Sequence, residues 1–227
     1  MFRFLVMLSF LFWFDLHALL TFREIARKAL PAVVMVRASQ VFIEGPDQET
    51  VKGTGFLMSD NGYILTNAHL VENAQIISII YHDTEIPSSL IGLDKQADIA
   101  ILKIEGEHFP YLNLGDSDEI EIGDQVIAAG GFISLKPLLT KGIISGRNSF
   151  ISKSGDFEDL LFTDALINPG NSGGPLLNLT NEVIGINKAI FLPTGGFVGY
   201  GVAIPVNVAK NSIFKIMKLE TTMKNKS

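Results

Sequence analysis

From Ala32 to Pro205 the chain alternates short apolar runs, rich in β-branched residues, with clusters of Gly, Asn, Asp and Pro. The clearest runs are VVMV, GFLM, YILT, IISIIY, IAILKI, QVIAA, GIIS, LLFT, EVIGI and VGYGVAI. Each is bounded by turn residues and is short for a helix, so this succession predicts an all-β sandwich or barrel. Only the two ends carry a helical period. TFREIARKAL has it before Pro31, and VNVAKNSIFKIMKLETTM has it after Pro205, ahead of a polar KNKS tail. The acidic, turn-rich stretch LGDSDEIEIGD at 114–124 is the best candidate for a connection between two halves. There is no internal repeat and no low-complexity tract.

The extreme N-terminus departs from this pattern. Arg3 is followed by an apolar run from Phe4 to Phe14, closed by Asp15. A helix needs about 20 residues to span hydrocarbon, so the run is short for a membrane span and fits a secretory signal. The mature chain is then expected to begin near Thr21 and to be exported, periplasmic or secreted, although Leu16 makes a poor cleavage site around Ala18. The alternatives are an uncleaved membrane anchor at residues 4–14 and an apolar helix packed on the fold or on a neighbouring subunit.

With 227 residues, 47% of them hydrophobic and 19% charged, the chain can bury a sizeable core as one large domain or two subdomains. A net charge of -6 and the lack of a long basic run give nucleic-acid binding no support. The absence of cysteine excludes disulfides, a thiolate nucleophile and cysteine-ligated metals. No cofactor or metal is expected.

The segment INPGNSGGPLLN, residues 167–178, surrounds Ser172 with Gly170, Gly173 and Gly174. Glycines there permit positive φ and close approach of a substrate to the backbone, so the turn could expose the hydroxyl and gather N–H groups as an oxyanion hole. A plain glycine-rich connection is the alternative. A serine nucleophile needs a base, and the base needs an orienting carboxylate. Of the four histidines, His17, His82 and His108 read as leader, turn and loop residues. His69, in GYILTNAHLV, follows a strand and has small neighbours, though a lone histidine there is more often structural. Asp98, in DKQADIAILKI, directly precedes an apolar strand, and Asp94 is the exposed alternative. The order His69, Asp98, Ser172, with spacings of 29 and 74 residues, is that of the chymotrypsin-type triad.

On these residues the chain resembles the protease domain of the HtrA/Deg family of serine proteases. The resemblance is carried by GTGFLMSDNGYILTNAHLV, ADIAILKI, LGDSDEIEIGDQVIAAG and TDALINPGNSGGPLLN, followed by VIGINKAIFLPTGGFVGYGVAIP, and runs from about Phe22 to Ala209. It implies a chymotrypsin-like fold of two six-stranded antiparallel β-barrels with short terminal helices and a site between the barrels. The chain then divides into an N-terminal signal or apolar segment at 1–20, a trypsin-like protease domain at 22–209, and a C-terminal helix and tail at 210–227, with barrels at about 32–115 and 120–205.

The resemblance implies that Ser172 attacks a peptide carbonyl, His69 moves the proton and Asp98 orients the imidazole. The backbone of Gly170, Asn171 and Ser172 would form the oxyanion hole. Leu166 and Ile167 would floor the substrate pocket, and Asn187, Lys188, Ala189 and Ile190 would wall it. The implied partners are unfolded or flexible polypeptides, in protein quality control, with a homotrimer and membrane association through the N-terminal segment as further options. Three departures stand out. Asn171 is uncharged where digestive relatives carry an aspartate that pairs with a newly cut N-terminus. GGFISLKP at 130–137 replaces a GNPFG turn, and the 18 residues after Ala209 leave no room for a PDZ domain. A non-catalytic binding or chaperone-like module that keeps the fold is the competing reading.

Overall fold

The computed structural model describes residues 20–40, 49–133, 136–151, 157–188 and 200–224. The apolar segment at 4–14 and the wall residues Ala189 and Ile190 lie outside them. The described chain opens with α1 (Phe22–Ala29), whose start is fixed by a capping box: Thr21 Oγ1 accepts the Glu24 N–H at 3.3 Å, and Glu24 Oε2 accepts the Thr21 N–H at 2.8 Å. Ile25 and Ala29 form its buried face.

Six strands follow: β1 (Val33–Gln40), β2 (Glu49–Leu57), β3 (Tyr63–Thr66), β4 (Ile76–Tyr81), β5 (Thr84–Asp94) and β6 (Ile99–Lys103). They close antiparallel in the order β1-β2-β3-β6-β5-β4. After the connection that holds the acidic stretch come β7 (Gln125–Ile133), β8 (Lys136–Ile151), β9 (Phe157–Thr163), β10 (Pro175–Leu177), β11 (Val183–Lys188) and β12 (Gly201–Pro205). These close in the order β10-β11-β12-β9-β8-β7. The two barrels thus repeat one connectivity with no repeat in sequence, as the resemblance implies, and closure leaves neither sheet an open edge. The helix α2 (Val206–Lys224) starts directly after Pro205, so the border drawn at 209 falls inside its first turns.

Two strands are absent from the hydrophobic pattern. β5 is mostly half-exposed and carries Pro87, so no apolar alternation marks it. It is specified by its turn: Tyr81 pairs with Thr84, and the intervening His82 and Asp83 have φ of 48° and 61°. Two positive values make a type I′ hairpin, whose twist matches that of the strands. β10, at three residues, is too short to signal itself.

The larger core cluster draws on both barrels and on both helices, through residues such as Ile25, Phe56, Leu102, Ile127, Ile186 and Val206. A smaller cluster around Val126, Leu161, Leu176 and Ile184 fills the second barrel. α2 is tied down at both ends of its contact. Asn207 N–H donates to Ser117 Oγ at 3.1 Å, and the Asp94 carboxylate accepts Ser212 O–H at 2.8 Å with Lys215 Nζ at 3.6 Å.

Phe56 is fully buried and Ile122 is 73% exposed. We predict that Phe56→Ala destabilises the fold by about 3–5 kcal/mol, the usual effect of removing a buried aromatic ring. Ile122→Ala should stay within about 0.5 kcal/mol of the parent. Urea unfolding of both variants checks this.

Candidate active site

β3 ends at Thr66, and the next residues turn into a single 3-10 turn, Ala68–Leu70, that presents His69. Asp98 stands at the mouth of β6 in a left-handed conformation, φ 56°, and is 8% exposed. Its main chain is locked to the same turn, because the Asp98 carbonyl accepts Ala68 N–H at 3.2 Å and Asn67 Nδ2 at 3.0 Å. The carboxylate faces the imidazole squarely. His69 Nδ1 lies 3.0 Å from Oδ1 and 2.9 Å from Oδ2, and the His69 N–H donates to Oδ1 at 2.9 Å. An acceptor-only carboxylate at Nδ1 assigns the proton to that nitrogen, leaving the Nε2 lone pair free to act as a base.

Asp94, the other carboxylate weighed from sequence, is directed to α2 and away from His69. Burial works against its ionisation, but hydrogen bonds from Ser212 and the Ala97 amide, with the charge of Lys215, outweigh this and hold it below the ordinary carboxylate range.

The serine segment folds as two consecutive turns. Asn171 N–H donates to Asn168 O at 2.9 Å with Pro169 and Gly170 between them, and Gly170 has φ 98°. Proline first and positive φ second define a type II turn. Gly174 N–H then donates to Asn171 O at 2.9 Å around Ser172 and Gly173, and Gly173 has φ 85°. Ser172 therefore sits at the first corner of the second turn, between two glycines whose conformations other residues rarely adopt. A Cβ at Gly173 would strike Thr54 O and Thr66 Oγ1 and lie 3.1 Å from Asn67 N, so the serine turn is pressed against the strand end that carries His69.

Gly170 N–H meets no acceptor among the described residues. The Asn171 N–H, expected among the oxyanion donors, is spent closing the first turn. Asn171 thus contributes the turn and not an anion donor.

The substrate-wall residues divide. Asn187 is fully buried, its main chain bonded to Gly173 and Gly174 at 2.9 and 2.8 Å, its Nδ2 donating to Ala129 O at 3.0 Å and Pro175 O at 3.2 Å. It cannot face a substrate and instead braces the serine turn from β11, a correction that follows from the inward register of its strand. Lys188 Nζ stands 3.8 Å from Asp98 Oδ2, so its head adds a positive charge beside the carboxylate. Leu166 is 50% exposed, with its carbonyl bonded by Thr140 Oγ1 at 2.9 Å, and Ile167 packs against Gly201. Thr54, which no sequence argument singled out, binds the serine turn from the first barrel: its N–H donates to Ser172 O at 2.8 Å and its hydroxyl to Gly170 O at 2.6 Å. No cluster of ligating residues suited to a metal ion occurs among the described residues.

A family model described as a trypsin-like peptidase domain matches residues 53–186. A probable periplasmic serine endoprotease, DegP-like, of Chlamydia pneumoniae is 45% identical over 172 residues, covering 75% of this chain and 35% of that protein. The protein of the same description from Rhizobium meliloti is 41% identical over 177 residues, covering 77% of this chain and 35% of its own length. The chain therefore spans about a third of the length of these relatives. Among solved structures, the HtrA-type protease AlgW with a decapeptide superposes with a TM-score of 0.75 at 32% identity, covering 88% of this chain and 68% of that one. AlgW with a tripeptide gives a TM-score of 0.77 at 36% identity, covering 86% and 63%.

The Asp94 geometry carries its own prediction. A carboxyl held below its unfolded value adds stability that is present above the ordinary carboxylate range and is lost as pH falls through the folded value. Asp94→Asn should thus cost on the order of 1 kcal/mol at neutral pH, and less at pH 3, while leaving the His69 contacts intact. Chemical denaturation at the two pH values measures the difference. An equal loss at both would refute the assignment.

Proposed function

The chain belongs to the trypsin-like peptidase family, among its HtrA-type members, and from that premise we propose that it hydrolyses peptide bonds through Ser172, His69 and Asp98. The single observation that carries the reading is the bidentate approach of the Asp98 carboxylate to His69 Nδ1, next to a serine turn whose Gly170 N–H meets no acceptor among the described residues. In this mechanism Ser172 Oγ attacks the substrate carbonyl while His69 Nε2 takes its proton. The Gly170 and Ser172 amides receive the developing oxyanion, a contribution of roughly 2.7–4 kcal/mol per donor. The imidazolium then gives its proton to the leaving amine, an acyl-enzyme remains on Ser172, and water attacks it by the same path in reverse. Asp98 holds the tautomer and stabilises the imidazolium.

Peptides bound to HtrA-type AlgW and the periplasmic names of the DegP-like relatives support a substrate class of extended, unfolded polypeptide in an exported compartment, in the service of protein quality control. No helix among the described residues is long and apolar enough to cross a membrane. A homotrimer, and attachment through residues 4–14 as the alternative to a cleaved export signal, are further options within the proposal. For the bond cut, the absence of a carboxylate at Leu166 and Ile167 disfavours lysine and arginine, whose charge would be buried unpaired. Small aliphatic side chains should be preferred.

Casein hydrolysis by the purified protein should vanish in Ser172→Ala, and activity that survives would remove Ser172 from the role. Asp98→Asn should lower turnover by up to about 10⁴-fold with the fold retained. The rate should also fall on acidification, because a protonated imidazole cannot accept the Ser172 proton. A rate flat down to pH 4 would exclude a histidine base. Mass-spectrometric mapping of the cuts should find most of them after alanine or valine; a majority after lysine or arginine would overturn the pocket assignment.

A further inference from the structure

Asn171 has no charge to anchor it, so something neutral must hold the serine turn in place. Thr54 is fully buried on β2, in the first barrel, yet it engages the turn of the second barrel twice. Its hydroxyl donates to Gly170 O at 2.6 Å and its N–H to Ser172 O at 2.8 Å, which pins the carbonyls on either side of Asn171. The direction of the hydroxyl is itself fixed. Gly131 N–H approaches Thr54 Oγ1 at 3.1 Å, so the oxygen accepts there and its proton is left for Gly170 O. Thr54 O in turn accepts Thr66 Oγ1 at 2.7 Å, and Thr66 ends the strand that leads to His69.

We propose that Thr54 is a positioning residue that sets the nucleophile and the oxyanion donors against the base across the barrel interface. The proposal rests on the reading of Ser172 as the nucleophile and His69 as its base. His69 belongs to the first barrel and Ser172 to the second, so their separation is only as constant as the seam between the barrels. A residue bonded at once to the strand behind His69 and to both carbonyls around Asn171 removes the softest coordinate of the site. A misplaced donor costs transition-state binding and leaves ground-state binding of the peptide unchanged.

The test compares Thr54→Val, which keeps the shape and deletes the hydroxyl, with Thr54→Ser, which keeps the hydroxyl. Thr54→Val should lower kcat by about 10- to 100-fold with KM within about threefold, part of the effect of losing an oxyanion donor outright. Thr54→Ser should return kcat to within about threefold of the parent. A purely structural role would lower thermal stability in Thr54→Val with no selective loss of kcat, and would overturn the proposal, as would a Thr54→Ser as impaired as Thr54→Val. If Thr54→Val does not fold, Thr54→Cys, a weak donor of similar volume, should give an intermediate kcat, and parity with the parent would overturn the proposal. Should the parent show no Ser172-dependent hydrolysis, the nucleophile assignment fails, and amide exchange still decides the case of Thr54. The Asn171 amide closes the pinned turn, and Thr54→Val should speed its exchange by about tenfold. Unchanged exchange would overturn the proposal.

Discussion

The site depends on a seam between two closed barrels, and that seam is made of backbone hydrogen bonds that need particular side chains to be reached. Each barrel satisfies its own strands internally, since closure leaves no edge for pairing with the other. What joins them at the site is Thr54 of β2, which bonds Gly170 and Ser172, while Gly131 of β7 and Asn187 of β11 hold the same turn to its own barrel through Gly170 and through Gly173 and Gly174. All of them act on main-chain atoms of one five-residue stretch. The glycines in that stretch are needed for conformation, as the positive φ of Gly170 and Gly173 shows, and for clearance, as the crowding at Gly173 shows. A Cβ at Gly173 would push against Thr54 and Thr66 of the first barrel.

The same economy governs the base. Asp98 makes contact with His69 through its carboxylate and with the preceding residues through its carbonyl, so one residue both orients the ring and fixes the turn that carries it. Its left-handed backbone lets it do both, a conformation that aspartate adopts more readily than most residues. Lys188 brings a further charge to the carboxylate from the second barrel, so the acidic member of the set also has a partner on each side of the seam.

Much of this was legible from residues alone. The apolar runs mark ten of the twelve strands among the described residues, and the chain order of His69, Asp98 and Ser172 names residues of which the structure brings the first two into direct contact. The glycines were legible as a tight turn around Ser172 through the positive φ they permit, whereas the use of the Asn171 amide to close the turn before it was not. β5 was hidden because its stability lies in pairing with β4 and in packing of α2, and neither leaves an apolar period. The inward register of Asn187, the reach of Lys188 to Asp98, and the whole role of Thr54 depend on which strand faces which across the seam. A buried threonine in GTGF carries no local signal that separates it from any other β-branched strand residue.

The claim at the centre of this account is that Ser172 is a nucleophile made reactive by His69 and Asp98. A fluorophosphonate probe reacts with a serine only where such activation exists, so covalent labelling followed by peptide mapping tests it directly. The account predicts one adduct, on Ser172, abolished in His69→Ala and in Ser172→Ala. An adduct on another residue, or a folded parent that takes no label, would contradict it.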